Sequence, residues 1–124
     1  MNEIKKILYV EDTFENRLLI RRILQAEGYI VLEAENADHA LDVLKSETPD
    51  LILMDINMPN IDGYTLTEQL RTIPRLEKIP IIALTANVMR GDRERTIAAG
   101  CNGYIQKPID VDSFSEQIDR YIMR

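Results

Sequence analysis

Six residues, Asp50-Leu51-Ile52-Leu53-Met54-Asp55, constrain this chain more than any others. They form an apolar run that stops on a carboxylate, with Thr48-Pro49 before it and Met58-Pro59 after it. A run this short and this apolar, bounded by turn residues, fits a central strand buried on both faces. Open parallel sheets built from such strands place their sites at the carboxyl ends. Asp55 would be delivered to one of those ends.

The chain on either side alternates between strand and helix patterns. Lys6 to Val10 is a short apolar run ending at Glu11-Asp12. Phe14 to Ala26 has helical periodicity and is closed by Glu27-Gly28, with Gly28 suited to the position after the C-cap. Ile30-Val31-Leu32 reads as a second strand. Asn36 can cap a helix from Ala37 to about Ser46 that turns Ala40, Leu41 and Leu44 inward. Leu51 to Met54 is the third strand. Gly63 to Thr72 is helical, with Asp62 as candidate cap. Pro80 to Leu84 is the fourth strand, its proline at the first position, where a lost donor is tolerated. A helix from about Val88 to Ala99 ends at Gly100, Gly103 to Gln106 is a short fifth strand, and a last helix runs from about Val111 to Tyr121. Five strand-then-helix units predict an α/β fold, (βα)5, with helices on both faces of a parallel sheet and right-handed crossovers.

At 124 residues the natural count is one domain, 1–124, and 45% hydrophobic content is enough for a core. The net charge of −6 argues against direct nucleic-acid binding, which needs a basic face. A single cysteine, Cys101, excludes an internal disulfide and suits a reducing cytosol, so a cytoplasmic location is expected. No apolar run approaches the ~18 residues of a membrane span, and the N-terminus lacks a signal peptide's apolar stretch.

Four strands end in chemically capable side chains: Glu11-Asp12, Asp55, Thr85 and Lys107. In a parallel sheet all four ends share one edge. Three carboxylates crowded there repel one another, so either a pKa rises or a cation binds. Oxygen ligands without His or Cys point to Mg²⁺, which takes one or two carboxylates, keeps waters and accepts a phosphate oxygen. Glu11-Asp12 alone is equally a cap for the first helix. Carboxylates form acyl-phosphates, and phosphoryl transfer needs mainly positioning and charge neutralisation. Asp55 is therefore a candidate nucleophile, and Lys107 a point-charge partner for it and for a phosphate. A cis Lys107–Pro108 peptide is one way to aim that lysine, although most X–Pro bonds are trans. Thr85 offers a hydroxyl to a phosphate oxygen or to the next helix as a cap.

These residues resemble the receiver domain of bacterial two-component response regulators. The resemblance rests on Val10-Glu11-Asp12, the run from Pro49 to Asp55, Met58-Pro59 with Asp62-Gly63, Leu84-Thr85-Ala86, and Lys107-Pro108, spread along the chain at family spacing. It implies a flavodoxin-like sheet of order 2-1-3-4-5. It implies that Asp55 accepts a phosphoryl group from a phosphohistidine on a histidine kinase or histidine phosphotransfer protein. It implies Mg²⁺ held by the Asp12 and Asp55 side chains and the Asn57 backbone carbonyl, with Glu11 acting through water. It implies Thr85 and Tyr104 as a switch pair, Lys107 as the phosphate partner, and a downstream protein target. Glu at position 11, where many members have Asp, should keep metal binding. The stretch from Gly100 to Tyr104 with Lys107-Pro108-Ile109 also resembles receivers joined to hybrid kinases and single-domain cell-division regulators. The start at Met1 just before the first strand favours a stand-alone regulator.

If Thr85 moves toward a phosphoryl group, space opens behind it and Tyr104 can rotate inward; Tyr104 fits a half-buried strand aromatic equally well. The helix containing Gly91 has few large apolar residues and should be the bistable element. Asn57 and Asn87 flank the site and should tune the phosphoryl lifetime. The first helix carries more apolar residues than one stripe needs. With Ile20, Ile23 and Leu24 inward, Leu18 should point out and Leu19 lie at the margin. Phe14, Leu18 or Leu19, with Pro108 and Ile109, are then a candidate docking patch for the phosphodonor. His39 should face solvent. An aspartyl-nucleophile phosphatase would want a second Asp two residues after Asp55, where Asn57 stands, so no turnover of outside substrates is expected. A flavodoxin-type cofactor binder would not place Glu11-Asp12 where its phosphate loop belongs. A receiver-like adaptor that is never phosphorylated should have lost a strand-end residue, and none is lost.

Overall fold

The structure, a computed structural model, describes residues 4–56, 58, 62–86 and 92–122. Five strands, β1 (Lys6–Val10), β2 (Ile30–Ala34), β3 (Leu51–Asp55), β4 (Ile81–Thr85) and β5 (Gly103–Gln106), alternate with five helices, α1 (Phe14–Ala26), α2 (Ala37–Ser46), α3 (Gly63–Arg71), α4 (Asp92–Ala99) and α5 (Val111–Ile122). All strand pairs are parallel, in the order β2-β1-β3-β4-β5. The α/β flavodoxin-like expectation holds. Every residue of β3 is buried, as its unbroken apolar run requires.

Strand alternation divides the core into two layers. Leu8, Val10, Ile52, Met54, Ile81 and Ala83 face α2 and α3, where Ala40, Leu44, Leu66 and Leu70 meet them. Ile7, Tyr9, Leu51, Leu53, Ile82 and Leu84 face α1 and α5, packing on Ile20, Leu24, Phe114 and Ile118. The caps of α2 and α3 act where the sequence puts them, whereas the N-cap of α1 is Thr13, which makes no side-chain cap bond, rather than Glu11 or Asp12. The Asn36 side chain accepts from the His39 N–H, and Asp62 accepts from the Tyr64 and Thr65 N–H groups. Gly28, at φ +94°, follows the C-cap of α1.

Three details differ from the sequence reading. β2 runs on to Ala34, since edge pairing with β1 continues to Val10. A single 3₁₀ turn, Pro74–Leu76, fills the connection into β4 and buries Leu76. On α1 the outward residue is Leu19, 50% exposed, while Leu18 is half-buried. The helix is thus rotated so that Ile20 and Leu24 take the centre of the buried face. The expected start of the fourth helix, residues 88–91, lies outside the described residues, as do Asn57 and Asn87.

Candidate functional site

The carboxyl ends of β1, β3 and β4 and the residue after β5 meet at one edge of the sheet. Glu11, Asp55 and Thr85 are each buried there, at 1%, 3% and 3% exposure. Glu11 and Asp55 continue the alternation of Tyr9 and of Leu53, so both lie on the side of α1 and α5. Lys107 reaches them from beyond β5, its Nζ 3.0 Å from Asp55 Oδ2 and 4.0 Å from Glu11 Oε1. The Lys107–Pro108 peptide is cis, and the Lys107 N–H donates to the Thr85 carbonyl at 2.7 Å. That bond fixes where the lysine leaves the sheet.

One ammonium is little positive charge for this cluster. Burial, and then the neighbouring Asp55 carboxyl, push the Glu11 carboxyl up from 4.5 to about 7, with the Asn16 amide pulling the other way. Tyr9, one alternation back on β1, points its hydroxyl at Glu11 Oε1 at 3.4 Å, and burial pushes the Tyr9 phenol up. Arg17 donates to the Glu11 carbonyl at 2.7 Å and pairs with Glu33, tying α1 to the end of β1 and to β2. Asp12 is half-buried beside this group, and the Thr13 hydroxyl donates to its Oδ1 at 3.3 Å.

Among the described residues no three His, Cys, Asp or Glu side chains are grouped to hold a metal as they stand. The donor chemistry nonetheless suits a hard divalent cation. Glu11, Asp12 and Asp55 supply only oxygen, the donor such an ion prefers. Mg²⁺ asks for one or two carboxylates and completes its shell with water. The Asn57 carbonyl, expected as a further ligand, lies outside the described residues.

Thr85 is placed differently from the charged trio. It falls on the parity of Ile81 and Ala83, on the α2 and α3 side of the sheet. Tyr104 pairs with Ala83 across β4 and β5 and packs, half-buried, on that same side. The expected switch pair therefore shares one face, while Asp55 and Lys107 share the other.

Behind the site, α3 begins in contact with β3. A Cβ at Gly63 would lie 2.8 Å from the Asp55 carbonyl oxygen and 3.0 Å from Ile56 Cδ1, so only glycine lets the helix start here. In front, Tyr9, Asn16, Leu19, Ile20, Lys107, Pro108 and Ile109 line a groove between α1 and the segment before α5. Leu19, Pro108 and Ile109 were expected there. Phe14 was too, but it lines a separate hollow with Arg17, Arg21, Glu33, Glu35 and the exposed His39. Tyr9 and Asn16 touch the site without having been singled out from the sequence, while Gly63 is named there only as part of the Asp62-Gly63 motif. The two-residue step from Tyr9 to Glu11 was a legible signal for the first. Contacts of Asn16 and Gly63 depend on how helices dock.

Comparison with known proteins agrees with this fold. The family model of the response regulator receiver domain matches residues 7–119. The chain is 42% identical over 118 residues to the polar-differentiation response regulator DivK of Brucella anthropi, covering 95% of this chain and 96% of that one. Among solved structures, it is similar to the receiver domain of the sensor histidine kinase PA1611 from Pseudomonas aeruginosa. That match has a TM-score of 0.88 and 35% identity, covers 98% of this chain and all of the other, and the relative has a magnesium ion coordinated in its active-site cleft. It is also similar to the chemotaxis protein CheY4 of Vibrio cholerae, with TM-score 0.91, 26% identity, and coverage of 96% and 99%. With a family model spanning nearly all of its length and a relative this similar end to end, the chain belongs to the response regulator receiver domain family of two-component systems.

Proposed function

We propose that this receiver is a phosphorylation-dependent switch in which Asp55 accepts a phosphoryl group from a phosphohistidine on a histidine kinase or a histidine phosphotransfer protein. The observation that carries the reading is the half-buried Lys107 ammonium 3.0 Å from the buried Asp55 carboxyl, with Glu11 at 4.0 Å from the same ammonium. In the transfer, an Asp55 carboxylate oxygen forms a bond to phosphorus as the bond from phosphorus to the donor imidazole breaks. The electron pair stays with the imidazole. Lys107 holds Asp55 in place, then follows the transferred oxygens as charge develops on them. Thr85 offers its hydroxyl to one of those oxygens.

Glu11, Asp12, Asp55 and the Asn57 carbonyl would hold Mg²⁺, the ion coordinated in the cleft of the Pseudomonas relative. When bound, it supplies the divalent charge that offsets the crowded carboxylates and the incoming phosphate. The groove along Leu19, Pro108 and Ile109 opens beside Lys107 and suits an apolar helix face of the donor. Thr85 and Tyr104, on one face of the sheet, relay the change to α4, β5 and α5, where a downstream protein binds. The chain promotes phosphorylation and dephosphorylation of its own Asp55 and does not turn over outside substrates.

The test is intact-mass analysis after incubation with acetyl phosphate, with and without Mg²⁺, beside Asp55→Asn. One Mg²⁺-dependent phosphoryl adduct, absent from the variant, is expected. A folded protein that takes no adduct under any of these conditions would behave as an unphosphorylated adaptor, and the switch reading would be abandoned.

A further inference from the structure

We infer that Asn16 is a positioning residue of this site, holding the Glu11 carboxylate in the orientation that cation binding requires. The inference rests on the phosphoacceptor reading for its purpose, but its geometry is independent of it. Asn16 Nδ2 donates to Glu11 Oε1 at 2.9 Å. The same oxygen takes the Tyr9 hydroxyl at the longer distance of 3.4 Å and faces Lys107 Nζ at 4.0 Å. Glu11 Oε2 is 3.4 Å from the Thr13 N–H.

These donors are not equivalent. Lys107 is shared, and sits 1 Å closer to Asp55 than to Glu11 by the distances above. Once Asp55 carries a phosphoryl group, the ammonium has a more highly charged partner and its hold on Glu11 weakens. Tyr9 is anchored in the core, and its long contact adds little. Asn16 is uncharged, so neither Asp55 nor a phosphate draws it away strongly. It stands one turn into α1, whose start Arg17 fastens to the Glu11 carbonyl. The amide therefore stops a buried carboxylate from turning with Lys107. Partners that orient the groups around a metal, here a carboxylate acting on the cation through water, typically change metal affinity about 10-fold when removed.

Asn16 is also in the wall of the groove assigned to the donor. A loss of transfer from a protein donor would mix docking with positioning. The experiment accordingly uses Mg²⁺ alone, by calorimetric titration, and acetyl phosphate, which needs no groove. Asn16→Leu removes the donor at an exposed helix position and should leave the fold intact; Asn16→Gln keeps an amide on a longer arm. Asn16→Leu should weaken Mg²⁺ binding about 10-fold and slow adduct formation while the final extent at saturating Mg²⁺ is retained. Asn16→Gln should recover part of both. Asn16→Leu with wild-type Mg²⁺ affinity and wild-type rate, in a protein that is phosphorylated, overturns this inference alone. Wild type that binds Mg²⁺ but takes no phosphoryl group overturns the phosphoacceptor reading alone, with the calorimetric comparison still deciding Asn16.

Discussion

Burial and the adjacent Asp55 hold the Glu11 carboxyl near pKa 7, so close to neutral pH it is only partly ionised unless a cation is added. Because the folded value lies above the ordinary 4.5, the folded chain keeps a proton that the unfolded chain has released between those two pH values. Stability from this group is fully present below pH 4.5 and is lost as pH rises to about 7. Denaturant unfolding in metal-free buffer should therefore give a lower stability at pH 7.5 than at pH 5, by on the order of 1–3 kcal/mol. Adding Mg²⁺ should recover most of that loss at pH 7.5, and Asp55→Asn should flatten the fall. Asp62 does not confuse the window. Its bonds from Thr65 hold it below the usual carboxylate range, so its contribution is lost only at more acid pH. The crowding of carboxylates at the strand ends was legible in the residues; which one would hold the proton was not, because that depends on the depth at which Glu11 is buried.

Among the helices α4 is the least anchored by apolar contacts. Its buried described residues are Thr96 and Ala99, and Ile97 faces outward at 53% exposure. Its neighbour α3 holds it with polar and aromatic contacts instead. The Tyr64 hydroxyl lies 3.3 Å from Thr96 Oγ1, and the Arg95 guanidinium stands 4.4 Å from the Tyr64 ring centroid. At the other end, Arg71 bonds the carbonyls of Leu76, Ile79 and Gly100 and the Asn102 side chain, which itself accepts the Ile81 N–H. The C-terminal end of α4 is thus pinned to α3 and β4, while Tyr64 holds its middle. Tyr64→Phe should cost about 1 kcal/mol of stability and raise amide exchange in α4 more than in α2 or α5. Uniform exchange across all helices would contradict this account of how α4 is held. The sequence showed that α4 is poor in apolar residues. It gave no sign of Arg71 or Tyr64 as fasteners, since those bonds join segments about 30 residues apart.

Across the whole molecule, β3 separates two apolar layers, and the layers are unequal in how they are covered. Among the described residues α2, α3 and the 3₁₀ turn supply the buried apolar side chains over one side, and α1 and α5 close the other through Ile20, Leu24, Phe114 and Ile118. Phe114→Ala should therefore cost about 3–5 kcal/mol in urea unfolding, against less than about 0.5 for Val111→Ala at the exposed start of the same helix. Equal losses would mean that α5 is not a principal cover of this layer. Asp55, Glu11 and Lys107 lie toward the α1 and α5 side and Thr85 with Tyr104 toward the other, so the charged group and the switch pair meet at the sheet's carboxyl edge. The five-stranded parallel architecture, the positions of its elements and the gathering of carboxylates and a lysine at one edge were determined by the sequence alone. The reason is that period and polarity along each segment are local properties, and a parallel sheet aligns strand ends. The rotation of α1 that turns Leu19 outward, the close approach of Gly63 to Asp55 and the hold of Asn16 on Glu11 were decided only by the tertiary structure. Each is set by how helices dock against the sheet, and no local pattern encodes that docking.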